Sequence, residues 1–160
     1  MAARGKTFVP ADEPVIAFER LLDAPRELVW QVWTDAKHLA NWWGPDGFSI
    51  TSHAMRVAPG SRWDFTMHGP DGKDWENKIV YHEVVRPERL VYSHGDPGDP
   101  DQFHVTITFA AEGRKTRLTM HSRFPSLAIR DHLIRTVHAV EGGTQTLNHL
   151  EAYLATLANQ

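Results

Sequence analysis

Tyrosine, glutamate and histidine side chains fall on two consecutive stretches of the sequence that read as strands. Tyr81 and Glu83 lie in the first stretch, and Tyr92 and His94 lie in the second. Phenol, carboxylate and imidazole groups that meet in an apolar pocket can act as general acids and bases. The same groups can instead orient a bound molecule or be satisfied inside a core. These residues leave open an enzyme of cyclase or hydrolase type, a ligand-binding protein and plain packing, so no catalytic residue is assigned.

The histidines also raise the question of a metal site. The chain has ten histidines and no cysteine. If the turn at Glu112-Gly113 is centred on those two residues, His104 lies across from His121 on the solvated face of a hairpin. A catalytic zinc site needs about three protein ligands and a structural site about four, and the sequence offers no third ligand here. We therefore expect no metal and no other cofactor.

Length and charge limit the partners. The 160 residues suit one domain, and the formal net charge of −3 gives no general attraction to phosphate backbones, so no nucleic acid is expected to bind. No run of about 18 apolar residues is present, so we expect no membrane insertion and, with no cysteine, a cytoplasmic location. Residues 1–12 are polar and contain proline, which favours a flexible N-terminus before a domain at 13–160.

Turn signals at intervals of about ten residues divide much of the chain into strands. A first strand begins at Pro14 and is followed by two short helices, the second of which ends at Gly44-Pro45. Ser126 is the expected N-cap of a long C-terminal helix, in which Gly142-Gly143 requires a packing reason or a bend. The remaining strands are predicted near 48–57, 61–68, 74–85, 89–95, 102–110 and 115–123.

These elements predict an α+β fold in which a curved antiparallel sheet of six to seven strands holds the long helix against its concave face. The hairpin at Gly69–Lys73 places Trp75 and Asn77 on the inward side, while the pleat between Tyr81 and Val85 is ambiguous. A gap between sheet and helix would form an apolar cavity. The residues expected to line it and bind a ligand are Trp63, Phe65, Met67, Ile79, Tyr81, Tyr92, His94, Phe103, Val105, Met120, Val140, Gly143, Thr144 and Leu147.

Adjacent indoles at Trp42 and Trp43 stand at the end of the second short helix. Neighbouring side chains on a helix point about 100° apart, so the two rings cannot enter one pocket together. We expect one indole to close the end of the core and the other to lie at the rim with a solvated N–H. With Trp33 they would form a cavity wall or gate.

Several motifs in combination resemble single-domain bacterial proteins of the chaperone-ATPase-activator-like family, within the START-like superfamily, also called SRPBCC. The likeness covers about residues 14–158. The motifs are "DAPRELVWQVWTDAKHLANWWGP", "VAPGSRWDFTMHGPDG", "VVRPERLVYS" and a glycine pair before "TLNHLEAYLA".

The resemblance implies a helix-grip fold, but its superfamily includes carriers, receptors, cyclases and proteins with no assigned activity. The expected function is binding of a small, largely apolar molecule between sheet and helix; the alternatives are an enzyme that uses the same cavity and a co-chaperone-like interaction module with a chaperone partner. Relatives commonly have Gly-Trp where this chain has Gly142-Gly143. That difference would either enlarge the cavity or let helix and sheet approach. The chain would be a monomer, or a homodimer if Val80 and Val84 are exposed.

Overall fold

A computed structural model describes residues 5–158 of the protein. Eight strands form one antiparallel sheet in the order β1-β2-β8-β7-β6-β5-β4-β3. Strands β3 to β8 therefore form a meander, and β1 and β3 are the two edges of the sheet. The strands are β1 (Gly5–Phe8), β2 (Val15–Leu22), β3 (Ser49–Met55), β4 (Arg62–His68), β5 (Asp74–Val85), β6 (Arg89–Asp96), β7 (Asp99–Glu112) and β8 (Lys115–Arg123).

Four helices complete the fold: α1 (Arg26–Thr34), α2 (Ala36–Leu39), α3 (Leu127–Thr136) and α4 (Ala139–Ala158). Two of them begin at residues that favour the start of a helix. Pro25 precedes α1, where a proline costs no hydrogen bond. The Ser126 hydroxyl accepts a hydrogen bond from the Ile129 amide, as expected of an N-cap. Within the described residues, no helix is long and apolar enough to cross a membrane.

The predicted α+β architecture with a long C-terminal helix is confirmed, but the strand count of six to seven was wrong. The missed strand is β1, which pairs with β2 from Gly5↔Arg20 to Phe8↔Ala17. The expected flexible segment at residues 1–12 therefore contains an edge strand, and residues 1–4 lie outside the described residues. Four residues are too few to show the alternation by which a strand is recognised in a sequence. The strand forms because β2 supplies partners for its backbone hydrogen bonds.

The β7–β8 hairpin has a different register from the predicted one. Its last pair is Glu112↔Lys115, so the turn is centred on Gly113 and Arg114, and Gly113 has a φ of 63°. The shift is even, which keeps every side chain on its predicted face. It nevertheless moves His104 opposite Arg123, so the proposed histidine pair does not exist.

A bulge resolves the ambiguous part of β5. The register shifts between Tyr81 and Glu83, so His82 is the extra residue. Tyr81 stays on the buried face, Val84 packs against the core, and Val85 is exposed. Glu83 is exposed and forms an ion pair with Arg89 at 3.2 Å, which corrects its prediction as an inward acid or base.

The long C-terminal helix is broken, but not at the glycine pair. The break lies between Thr136 and Ala139, where His138 has a φ of 53°. Gly142 and Gly143 are both helical. A Cβ atom at Gly143 would lie 2.5 Å from Cζ of Phe18 on β2, closer than real Cβ contacts allow. The glycine therefore permits close contact between helix and sheet, the second of the two outcomes considered from the sequence.

The helix α4 runs across the inner face in the same direction as β2. Near its start Gly143 meets Phe18, and further along Arg20 donates to the Asn148 side chain at 2.9 Å. On the apolar side of α4, the side chains of Leu147, Leu150 and Leu154 are buried. The first half of α4 consequently lies over the end of the sheet that carries Phe103 and His94.

Candidate functional site

Burial changes along the inner face of the sheet from one end to the other. At one end the inward side chains are completely enclosed, as with Leu90 and Ile107, both 0% exposed. Toward the other end each of the four central strands carries a half-buried inward residue, and the next inward position on β5, Trp75, is 52% exposed. We call this region the open end; it is formed by Met67 on β4, Asn77 on β5, His94 on β6 and Phe103 on β7.

The residues predicted to line a cavity divide between these two environments. Those in the enclosed part pack directly on one another; the Trp63 and Phe65 rings, for example, stack with centroids 3.9 Å apart. The enclosed residues are Trp63, Phe65, Ile79, Tyr81, Tyr92, Val105 and Leu147. The half-buried residues are Met67, His94, Phe103, Met120, Val140, Gly143 and Thr144.

Two of the predicted helix residues have structural contacts of their own. Gly143 faces Phe18 rather than the central strands. The Thr144 hydroxyl donates to the Val140 carbonyl at 2.9 Å within α4. Near the start of α4, Val140 is an apolar side chain that packs against the core cluster while staying half-buried.

His94 is surrounded by aromatic rings. Its ring centroid lies 5.0 Å from Phe103, 6.0 Å from Phe65 and 6.5 Å from Trp43. Burial lowers the pKa of His94 to about 4, because the charged imidazolium is poorly solvated there. The side chain is thus a neutral imidazole at pH 7.

Asn77 is a polar residue of the open end that the sequence analysis placed inward but did not assign to the site. Its Oδ1 atom lies 2.8 Å from Nε2 of His94, and its Nδ2 donates to the Trp75 carbonyl at 3.0 Å. The signal was present in the sequence, since Asn77 alternates with Trp75 and Ile79 on one face. An asparagine on an apolar face is a reason to look for a polar partner.

Tyr92 carries a buried polar atom. Its hydroxyl oxygen is enclosed without a hydrogen-bond partner of good geometry in the described part of the chain. Burial raises the pKa of Tyr92 far above its usual range; the nearby Tyr81 raises it further, and the adjacent Trp33 side chain lowers it. The hydroxyl therefore stays protonated and retains the capacity to donate and to accept.

Both indoles of the Trp42-Trp43 pair are buried. Trp42 is 2% exposed and its indole N–H donates to the Val32 carbonyl at 3.0 Å, while Trp43 is 9% exposed and lies 5.1 Å from the Trp63 ring. The expected indole at a solvated rim was wrong, because Trp33 packs against both rings and closes the end of the core. The three indoles pack on one another, and their predicted role as a cavity wall or gate stays a prediction.

Metal ligands and surface depressions are the other features that could form a site. Among residues 5–158, no group of three or more histidine, aspartate or glutamate side chains is placed to hold a metal ion. A depression of about 410 Å³ lies beside α1 and α2, lined by Gln31, Thr34, Asp35, Ala36, Met55 and Val57. A second depression of about 500 Å³ borders β3 and is lined by Ala54, Met55, Arg56, Gly60, Ser61, Arg62, Lys78 and Val80. Neither includes the residues of the open end.

A known protein family matches most of the chain. The family model described as "Activator of Hsp90 ATPase homolog 1-like protein" matches residues 23–155. The chain belongs to this family. The match confirms the resemblance to single-domain proteins of the START-like (SRPBCC) superfamily.

Solved structures of low sequence identity share the family fold. Protein Ms6760 from Mycobacterium smegmatis is 22% identical with a TM-score of 0.86, over 95% of this chain and 98% of that one. The AHSA1 protein from Silicibacter pomeroyi is 22% identical with a TM-score of 0.72, over 89% and 98%. The AHSA1-like protein from Aeromonas hydrophila is 20% identical with a TM-score of 0.69, over 91% and 95%. No curated protein sequence is significantly similar to the chain.

Proposed function

We propose that this AHSA1-like protein binds a small, largely apolar molecule between the sheet and α4, and that the molecule enters at the open end. The observation that carries the proposal is the graded burial of the inner face, which leaves Met67, His94 and Phe103 half-buried beside a fully enclosed aromatic core. Their incomplete cover favours a surface that a ligand completes.

The chemistry of the open end supports an apolar ligand. Phe103, Met67 and Val140 offer apolar surface, and Phe103 stacks on Phe124 with centroids 5.1 Å apart. Each 100 Å² of apolar ligand surface removed from water contributes roughly 2.5 kcal/mol to binding. The cost of lost translational and rotational freedom, at least about 4 kcal/mol, is subtracted from this gain.

The site's few polar groups favour recognition without covalent chemistry. His94 is neutral, the Tyr92 hydroxyl stays protonated, and Glu83 points away from the inner face. Within the described residues the side-chain hydrogen bond of His94 is to the Asn77 amide and not to a carboxylate of the kind that a base and acid pair for hydrolysis or an aldol-type cyclisation would use. The polar groups remain available to orient the bound molecule.

Filling the open end provides the test. We expect Val140→Trp to occupy the space between α4 and Phe103 and to weaken binding of 2-methoxynaphthalene at least tenfold in isothermal titration calorimetry. Val137→Trp is the matched control, because Val137 is 61% exposed and should leave binding unchanged. Circular dichroism and a thermal melt would verify that both variants fold. Equal affinity of both variants for the probe would refute the proposed site, as would the absence of any binding to the wild-type protein.

A further inference from the structure

We infer that the molecule bound at the open end is uncharged and carries a hydroxyl or N–H group that donates a hydrogen bond to Nδ1 of His94. The inference rests on the proposed function and specifies the ligand's chemistry. It assigns a recognition role to a pair of side chains, His94 and Asn77, rather than to the apolar lining alone.

The orientation of the Asn77 amide fixes the position of the proton on His94. Asn77 Nδ2 donates to the Trp75 carbonyl at 3.0 Å, so the atom that lies 2.8 Å from His94 Nε2 is the amide oxygen. An amide oxygen can only accept a hydrogen bond. His94 must therefore carry its proton on Nε2, since a rotated amide would place its oxygen against the Trp75 carbonyl oxygen and lose that hydrogen bond.

A neutral His94 with its proton on Nε2 has a lone pair on Nδ1. Among residues 5–158, no donor forms a hydrogen bond with that nitrogen. Its surroundings are the aromatic rings of Trp43, Phe65 and Phe103, which offer no substitute. Within residues 5–158, Nδ1 of His94 is not one of the enclosed polar atoms that lack a partner, so water reaches it in the free protein. A ligand that covers this nitrogen must therefore supply a donor or leave the acceptor unsatisfied at a cost in free energy.

Charge at the open end argues for an uncharged ligand. Its four side chains, Met67, Asn77, His94 and Phe103, include no aspartate, glutamate, lysine or arginine. A carboxylate or ammonium group would lose hydration there without an opposite charge. A carboxylate would also place its lone pairs against the lone pair of Nδ1. Lys73, in the turn before β5, places its Nζ 5.7 Å from the exposed Trp75 ring.

Tyr92 offers a second polar contact deeper in the same face. It lies two residues before His94 on β6, so both side chains point to the inner side of the sheet. Its hydroxyl is enclosed and has no partner of good geometry within residues 5–158, so an oxygen atom of the ligand would reach it only by entering the core beyond His94. The expected ligand class is therefore a flat, uncharged, largely apolar alcohol or phenol, with or without a further oxygen.

Three naphthalene derivatives of matched shape test this inference. They are 2-naphthol, which is an uncharged donor at pH 7; 2-methoxynaphthalene, which has no donor; and 2-naphthoate, which is an anion. We expect 2-naphthol to bind about tenfold more tightly than 2-methoxynaphthalene, the effect of one hydrogen bond to a half-buried acceptor. We expect 2-naphthoate to bind more weakly than either. Calorimetry at constant pH and ionic strength gives the three affinities.

The outcomes separate this inference from the proposed function. If 2-methoxynaphthalene binds as tightly as 2-naphthol, the hydrogen bond to His94 is refuted while binding at the open end stands. If 2-naphthoate binds most tightly, the uncharged ligand class is refuted in favour of an acid held near Lys73. If none of the three binds, the proposed function itself fails.

Two variants and one spectrum place the effect on His94. His94→Leu should remove the preference for 2-naphthol and leave the affinity for 2-methoxynaphthalene within about twofold. Asn77→Leu, which removes the acceptor that positions the proton, should reduce the preference in part. In the wild-type protein, ¹⁵N spectra of the imidazole should show a protonated Nε2 and an unprotonated Nδ1. The opposite tautomer would overturn the inference even if every variant behaved as expected.

Discussion

Gly143 of α4 lies against the ring of Phe18 on β2, so closely that a methyl group at this position would overlap the ring. A Cβ atom built on Gly143 would stand 2.5 Å from Cζ and 2.6 Å from Cε2 of Phe18. The neighbouring Gly142 lacks this restriction, because its Cβ would meet Pro45 Cγ at an ordinary 3.5 Å. One glycine of the pair thus sets the distance between helix and sheet.

This contrast makes the glycine pair its own control. Gly143→Ala should destabilise the protein by about 1–3 kcal/mol, since overpacking forces the helix or Phe18 to move. Gly142→Ala should be neutral or stabilising by up to about 1 kcal/mol, because alanine is the better helix former. Urea unfolding of both variants measures the difference. A Gly143→Ala protein as stable as Gly142→Ala would show that the close contact does not limit packing.

The indole N–H of Trp42 is expected to contribute to stability. Trp42→Phe keeps an aromatic ring beside Trp33 but removes the buried hydrogen bond to the Val32 carbonyl. We expect a loss of about 2–4 kcal/mol from the missing bond and the smaller ring. Trp75→Phe is the control, because Trp75 is 52% exposed and should change the unfolding free energy by less than about 0.5 kcal/mol. Similar losses in both variants would contradict the prediction.

His94 should make stability depend on pH in a defined window. Its pKa falls from 6.5 to about 4 on folding. Between these values only the unfolded chain takes up the proton. Stability from this group is therefore intact above pH 6.5 and is lost progressively as pH falls to about 4, by at most about 3 kcal/mol.

Unfolding free energies of wild type and His94→Gln over pH 4–7 give the measurement. The variant should lose less stability than wild type as the pH falls through this window. His132→Gln, at an exposed site on α3, should keep the wild-type decline. A decline of equal size in His94→Gln would assign the pH dependence to other groups.

Arg130 should anchor the segment that precedes β2. Its guanidinium is buried at 4% exposure and donates to the carbonyls of Pro10, Glu13 and Val15. Arg130→Met would leave these oxygens without their donor, at an expected cost of about 2–4 kcal/mol. Arg135→Met, on an exposed position of α3, is the control and should be near neutral. Equal stability of the two variants in urea would exclude an anchoring role.

Much of the fold could be predicted because its signals are local. Alternation and turn residues placed β5 at 74–85 and β8 at 115–123 with the bounds that the structure has. The register of β7 and β8 was missed because a turn on Gly113-Arg114 is as consistent with the sequence as one on Glu112-Gly113. The inward faces were still correct, since a shift of two residues preserves them.

The candidate site was harder to predict, because it depends on contacts between distant parts of the chain. Neither the tautomer of His94 nor its link to Asn77 follows from spacing alone; both require the pairing of β5 with β6. The burial of both Trp42 and Trp43 depends on Trp33 from another helix. Periodicity gives a residue's face, but a cavity is a property of how two elements meet.

The most direct test of the proposed binding site is a ¹H–¹⁵N NMR titration of the wild-type protein with 2-naphthol. The account predicts shift changes that saturate and concentrate at Met67, Asn77, His94 and Phe103, with smaller changes at Val140 on α4. Changes confined to the outer face, for example at Arg62 and Lys78 beside the second depression, would contradict it, as would an unchanged spectrum up to the solubility of the probe.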